Sequence, residues 1–268
     1  MTVITRNIPP VAYVREEFLR LYRDRVFTLG KQKTVEICGL QFLADSPSLF
    51  GAPDLDYIEK EKQWYLSQSL NVNDIPKPVP KIWQEVSDDE GMINSNYGYL
   101  VFGVDNFSQF MFAMGELKRD PYSRRAVIQF NRPSMVHDYS SRGKNDYICT
   151  YAYQFFLRDD RLEMMVYMRS MDFIYGYPND LAWAQHVMER MLAGLNKPKK
   201  RYEMGNIVWH SGSGHIYERH FYLLDHYAAT GEWNVDKREV KHEQQKTELG
   251  PVLFEDAAAG QEPGELPA

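Results

Sequence analysis

The sequence predicts a single α+β domain, with a mixed or mostly antiparallel sheet packed against helices and a polar C-terminal tail. Three observations carry this prediction. Apolar residues recur at helical spacing in some segments and alternate in strand fashion in others. Three strand-like runs follow one another in mid-chain, two of them joined by a hairpin-like Asp159-Asp160 pair. A chain of 268 residues, 44% hydrophobic and 25% charged, has the composition of one large globular core, and it contains no internal repeat.

Val14 to Val26 carries Val14, Phe18, Leu21 and Tyr22 at helical spacing, and Thr34 to Phe42 alternates as a strand. Asp56 to Leu70 reads as a charged helix holding Trp64, Tyr65 and Leu66. Ile75-Pro-Lys-Pro-Val-Pro80 excludes helix and marks a loop. Phe107 to Leu117 is a Met- and Phe-rich helix, and Ala126 to Phe130, Tyr147 to Leu157 and Leu162 to Met171 are the three strands. Asp180 to Leu195 is amphipathic, with Leu181, Trp183, Val187, Met188 and Met191 on the inner side. A strand to about Val208, a short one near Ile216 and a helix from Glu218 to Ala229 complete a domain of residues 1–240. Residues 241–268 are polar, contain Gly and Pro, and read as a flexible tail.

A net charge of −6 argues against nucleic acid as the main partner, because coating it takes a broad basic face. A single nucleotide phosphate needs only a few arginines. Two cysteines, Cys38 and Cys149, without CxxC spacing point to a reducing compartment. The N-terminus has no signal-peptide character and no run approaches membrane-spanning length, so a cytoplasmic protein is expected. His210, His215, His220 and His226 lack zinc spacing, and HExxH, GxGxxG and P-loop patterns are missing. No metal is assigned.

Several residues could carry chemistry. Cys149 lies in an aromatic strand; taken alone it reads as a small buried hydrophobe, and a nucleophilic role needs nearby cations to favour the thiolate. Arg124, Arg125 and Arg169 are candidates for that, and paired arginines also suit a phosphate, although two arginines at a strand start are equally a solvated surface. Arg169-Ser170 with Asp172 offers a further guanidinium and hydroxyl. Glu61, alone, is a helical surface glutamate, and His215 and Tyr217, two apart in a strand, share a face.

Taken in order, these segments resemble the thymidylate synthase family. The matching blocks are Glu61-Lys-Gln-Trp64 with Asn71, Ile82-Trp83, Asn96-Tyr-Gly98, Asp120-Pro-Tyr-Ser-Arg-Arg125, Cys149 with Gln154-Phe155, Arg169-Ser-Met-Asp172, Gly176-Tyr-Pro-Asn-Asp180 and Gly214-His-Ile-Tyr217. They span roughly residues 14 to 225. Within the family, Lys33-Thr-Val-Glu-Ile37, Pro80-Lys-Ile-Trp-Gln-Glu-Val86, Ile93-Asn-Ser-Asn-Tyr-Gly98, Arg132-Pro-Ser-Met135, Asn179-Asp-Leu-Ala-Trp183 and His220-Phe-Tyr-Leu-Leu-Asp-His226 are similar to the branch that hydroxymethylates deoxycytidylate in T-even-type bacteriophages.

The resemblance implies a thymidylate-synthase-like fold and a homodimer formed through the sheet. It implies transfer of a one-carbon unit from 5,10-methylenetetrahydrofolate to C5 of dCMP, with water completing a hydroxymethyl group. Cys149 would add to C6 of the pyrimidine, and Arg169 and Ser170 would bind the phosphate. Arg124 and Arg125 would reach the phosphate site of the other subunit. His215 and Tyr217 would contact the sugar, Glu61 would organise water and proton transfers, and Tyr97 would assist removal of the C5 proton. Trp83 and Asp172, with Glu61, would hold the folate.

Departures from the family pattern bear on these expectations. Ile148-Cys-Thr150 stands where Pro-Cys-His is usual, and the N-terminal phosphate loop is reduced to Leu29-Gly-Lys-Gln-Lys33, leaving open which lysine contacts phosphate. Asp180 stands where uracil-using members carry asparagine. An ionised aspartate only accepts hydrogen bonds, so it repels the O4 of uracil and suits the 4-amino group of cytosine. Unpaired buried groups cost about 1–3 kcal/mol each, enough to select a base. A cytosine N3 protonated against that carboxylate would also make C6 more electrophilic. The competing reading places Asn179 at the base and leaves Asp180 as a helix cap; counting from Gly176 and Pro178 puts Asp180 in register. CMP as substrate, reductive methylation of dCMP, hydroxymethylation of dUMP and a catalytically silent nucleotide-binding homologue remain alternatives.

Overall fold

The computed structural model describes residues 7–141 and 144–249. In chain order the elements are α1 (Val11–Arg23), β1 (Thr34–Leu43), α2 (Leu55–Ser67), α3 (Lys81–Val86), α4 (Tyr97–Phe102), α5 (Gln109–Arg119), β2 (Val127–Gln129), α6 (Met135–Ser141), β3 (Thr150–Arg158), β4 (Arg161–Asp172), α7 (Gly176–Leu195), β5 (Glu203–Tyr217), α8 (Phe221–Thr230) and α9 (Lys237–Leu249). The strands form one sheet in the order β1-β5-β4-β3-β2. All neighbours are antiparallel except β4 and β5, so the sheet is mixed, as the sequence predicts.

Local chemistry explains this topology. Asp159 and Asp160 both have left-handed backbones (φ 51° and 55°), the conformation that a two-residue hairpin requires and that aspartate tolerates. They turn β3 directly into β4. A parallel neighbour needs a crossover, and the 20-residue α7 supplies it. Its apolar face, with Leu181, Trp183, Val187, Met188 and Met191, is buried, and the helix packs on β4 and β5. The inward rows of the sheet, including Tyr153, Phe155, Met164, Val166 and Trp209, join this core. On the opposite face Gln154, Phe156, Met165, Tyr167 and His210 remain half-exposed, with the Tyr167 and His210 rings stacked 4.8 Å apart.

Two expectations require correction. The sequence reading breaks the last strand near Ser211-Gly-Ser-Gly214, yet β5 runs unbroken for 15 residues. These small residues continue both ladders, opposite Leu40, Cys38 and Ile37 on β1 and Met168, Ser170 and Met171 on β4. Their size serves packing: a Cβ on Gly214 would lie 2.7 Å from the Phe173 ring. The stretch after Val240, read as tail, begins as α9 and is helical through Leu249. Asp236 caps this helix by accepting from the backbone N–H groups of Arg238 (2.7 Å) and Glu239 (3.3 Å), and buried Val240 anchors it. Residues 250–268 lie outside the described residues.

The sequence reading also passes over α3, α4 and α6, which are too short to show a periodicity. Of these, α4 matters most. A Cβ on Gly98 would lie 1.7 Å from the Tyr65 carbonyl oxygen, so glycine alone permits the approach of α4 to α2. That approach stacks Tyr97 on Tyr65, with ring centroids 5.3 Å apart.

Candidate active site

Cys149 immediately precedes β3, on a segment fixed from both sides. Upstream, the buried Asp146 carboxylate accepts from the backbone N–H of Ser95 (2.8 Å) and the side chain of Asn94 (3.2 Å), which ties this segment to the one leading into α4. Across the ladder, Arg169 of β4 donates its backbone N–H to the Cys149 carbonyl (2.8 Å). The Arg169 guanidinium reaches back to the Tyr147 and Ile148 carbonyls and lies over the Tyr147 ring, 5.4 Å from its centroid. So anchored, its Nη2 stands 3.4 Å from the Cys149 sulfur. Burial raises the thiol's pKa, and the Arg169 charge pulls it back down.

Behind the thiol, Thr150 and Tyr97 share a hydrogen bond of 3.0 Å between their hydroxyls. The sequence flagged Thr150 only as a departure; here it orients the Tyr97 phenol. Burial, reinforced by Asp180 and by Cys149, holds that phenol neutral, with a pKa well above the ordinary tyrosine value.

Three carboxyl groups converge beyond the thiol. Glu61, on α2, is buried, and its Oε1 accepts from the Tyr57 hydroxyl (2.8 Å). The Tyr57 hydroxyl in turn accepts from the Trp83 indole N–H (2.9 Å). Burial raises the Glu61 pKa to about 7, against the opposing hydrogen bonds of Tyr57, Trp83 and Asn179. Asp180, the fifth residue of α7, has its pKa raised well above the usual carboxylate range by burial and by the neighbouring Glu61 and Asp172. Asp172, at the end of β4, accepts from the Ile174 N–H (2.8 Å), and burial raises its pKa too. Asn179 is engaged with Glu61, whereas the Asp180 carboxyl lies close enough to Cys149, Tyr97 and Tyr153 to raise the pKa of each.

His215 pairs with Asp172 across β5 and β4, and its ring lies edge-on to Tyr217 with centroids 4.8 Å apart. Ser213 approaches the His215 Nδ1 at 3.4 Å and donates to Glu36. Arg219 closes this end with its guanidinium 4.2 Å from the Tyr217 ring centroid. Ser170 sits between Arg169 and Asp172 on β4, opposite Ser213.

Hydrogen bonds and electrostatic coupling link Cys149, Tyr97, Arg169, Glu61, Trp83 and Asp180, and couple Asp180 to Asp172, which pairs with His215 beside Tyr217; Ser170 follows Arg169 on β4. Arg124 and Arg125 are not linked to this set by any contact among the described residues. Both are exposed on the turn into β2, with the Arg125 Nε 2.8 Å from a Glu116 carboxylate oxygen. Of the loop lysines, Lys33 is paired with Glu218 and lies over the Phe27 ring. Tyr57 was missed in the sequence, and Asn179 was weighed only as an alternative to Asp180 at the base, not as a partner of Glu61. The spacing of Tyr57 one helical turn before Glu61 was the available signal. Among the described residues no group of acidic, histidine and cysteine side chains is arranged to hold a metal ion. No described helix is long and apolar enough to cross a membrane.

The family model described as thymidylate synthase matches residues 54–257. The deoxycytidylate 5-hydroxymethyltransferase of Enterobacteria phage T6 is 44% identical over 225 residues, covering 82% of this chain and 92% of that protein. The T4 phage protein of the same name is 44% identical over 221 residues, covering 81% and 90%. Among solved structures, thymidylate synthase A from Bacillus subtilis superposes with a TM-score of 0.60 at 17% identity, covering 82% of this chain and 86% of that one. At that identity the likeness speaks to the fold.

Proposed function

The chain belongs to the thymidylate synthase family, and from that premise we propose that it is a deoxycytidylate 5-hydroxymethyltransferase. In this reading it joins dCMP, 5,10-methylenetetrahydrofolate and water to give 5-hydroxymethyl-dCMP and tetrahydrofolate. The observation that carries the proposal is the 44% identity to the T6 phage enzyme over 92% of its length. The chemistry of the cleft supports it.

The nucleotide phosphate is held by Arg169 and Ser170, and the sugar hydroxyl by His215 and Tyr217. Asp180 faces the base. Its raised pKa changes the argument for cytosine. A neutral carboxyl group can hydrogen-bond either pyrimidine, since it both donates and accepts. Only cytosine has an N3 basic enough to take the proton. The resulting carboxylate–cytosinium pair has two charge-assisted bonds, which are about twice as strong as neutral ones. It also withdraws electrons from C6, where Cys149 attacks.

The site fits a folate. The half-buried Trp83 ring has its N–H satisfied by Tyr57, leaving a flat apolar surface for an aromatic group. Asp172 and Glu61 provide hydrogen-bonding carboxyls for a pterin. When bound, the folate supplies one carbon at the oxidation level of formaldehyde. Addition of the Cys149 sulfur to C6 makes C5 the nucleophile that takes this carbon. The Tyr97 phenol, oriented by Thr150, relays the C5 proton away. Glu61, with a pKa of about 7, is poised near neutrality to accept a proton from water and return it. Water completes the hydroxymethyl group, and release of Cys149 restores the ring. No reductant is consumed.

Purified protein incubated with methylenetetrahydrofolate and dCMP should yield a product heavier by the elements of formaldehyde, with no rise in dihydrofolate absorbance. Parallel incubations with CMP and dUMP set the substrate range. Methylated product with dihydrofolate, or turnover of dUMP alone, would overturn the reading.

The same reading includes a homodimer through the half-exposed face of the sheet, with Arg124 and Arg125 completing the phosphate site of the partner. Their exposure on the turn into β2 supports it. A chain carrying Arg124→Ala and Arg125→Ala, and a chain carrying Cys149→Ser, should each be nearly inactive. Unfolded and refolded together they should regain activity, because a mixed dimer has one site with an intact thiol and intact arginines. Failure of the mixture, with both variants folded and dimeric, would place the arginines elsewhere.

A further inference from the structure

Glu61 is the end of a hydrogen-bond chain whose direction is fixed by chemistry. Trp83 lies 2.9 Å from the Tyr57 hydroxyl, which lies 2.8 Å from Glu61 Oε1. An indole N–H only donates, so the Tyr57 oxygen accepts from it and directs its own proton to Glu61. Tyr57 and Glu61 are four residues apart on α2 and so share a face, while Trp83 enters from α3. The titratable groups facing Glu61 are Tyr57 and Tyr65 from its own helix and Asp180 from α7; Asn179 and the Trp83 indole add neutral donors. Accepting from Trp83 polarises the Tyr57 O–H and makes it a stronger donor.

We propose that Tyr57 is a positioning residue for the hydration step, holding the Glu61 carboxylate to receive the water proton and linking that carboxylate to the folate-facing Trp83. The inference rests on the reaction proposed above and deepens it. In the step concerned, the water oxygen bonds to the exocyclic methylene carbon at C5, and the water proton passes to Glu61. The methylene π pair moves into the ring, then restores the C5–C6 double bond as the C6–sulfur bond breaks, and Cys149 leaves as thiolate. The step needs neither oxidant nor reductant. Tyr57 touches none of the reacting atoms and acts through Glu61.

Tyr57→Phe keeps the ring and removes both hydrogen bonds. Formation of 5-hydroxymethyl-dCMP should fall about ten- to a hundredfold in kcat, the scale of one hydrogen bond to a charged group, with KM for dCMP little changed. The variant loses a donor that favours ionised Glu61, so the acid limb of its pH–kcat profile should move to higher pH. Trp83→Phe should move the same limb in the same direction, and by less when residue 57 is Phe, because only the direct contribution of Trp83 to Glu61 then remains. With dCMP tritiated at C5, the Tyr57→Phe protein should release tritium faster than it forms product, because the earlier step survives. An unmoved acid limb, or an equal Trp83→Phe shift in both backgrounds, would overturn the proposal. Absence of tritium release in the unaltered enzyme would instead overturn the reaction on which it rests.

Discussion

Replacing Cys149 by serine should lower turnover of dCMP by at least about a thousandfold, on the scale of losses seen when a covalent nucleophile is deleted. The substitution is nearly isosteric, and Cys149 is held by backbone contacts through Arg169 that serine leaves intact. Folding and dCMP affinity, measured by thermal denaturation and calorimetry, should therefore change little while kcat collapses. A hydroxyl remains protonated where a thiol can ionise, and one guanidinium at 3.4 Å cannot close that difference. The unaltered thiol has a raised pKa, so its ionised fraction increases with pH. Alkylation of Cys149 by iodoacetamide should accelerate through the alkaline range accordingly. Turnover that survived Cys149→Ser would remove the covalent mechanism altogether.

Asp180→Asn should invert base preference, changing the ratio of kcat/KM for dCMP over dUMP by roughly a thousandfold or more, as expected where a site built to pair a polar group is mismatched. An asparagine amide cannot pass a proton to N3, so it forfeits both the ion pair and the activation of C6. It pairs with the N3–H and O4 of uracil without charge. The control is Asn179→Ala: because Asn179 is engaged with Glu61, that variant should raise the Glu61 pKa and slow turnover without altering base preference. Steady-state kinetics with the two nucleotides separates the two effects. An Asp180→Asn enzyme still selective for dCMP would place the selectivity elsewhere.

Much of the fold was legible because its elements are long. The alternation of β1, the face of α7 and the Asp159-Asp160 hairpin all follow from local pattern. The errors fell where local and tertiary demands differ. Ser211-Gly-Ser-Gly214 looks like a break because glycine is a poor strand former; two flanking strands and the Phe173 ring make small residues the right choice there. The helix α9 was hidden by its polarity, since among its described side chains it buries little beyond Val240, and it is capped by Asp236.

The sequence by itself determined which residue types are present and in what order, and through the family blocks it determined which of them to examine. Cys149 alone would have been read as a buried strand cysteine. Only the tertiary structure decided protonation and partnership. Desolvation of Glu61, Asp172 and Asp180, and the effect of the first two on Asp180, arise when α2, β4 and α7 converge, and residues far apart in the chain carry no local mark of it. The expected cluster of guanidinium groups at the thiol reduces to Arg169 within one chain, because Arg124 and Arg125 lie on an exposed turn. The aspartate that the sequence casts as an ionised acceptor has its pKa raised in the folded chain by burial and by the neighbouring Glu61 and Asp172.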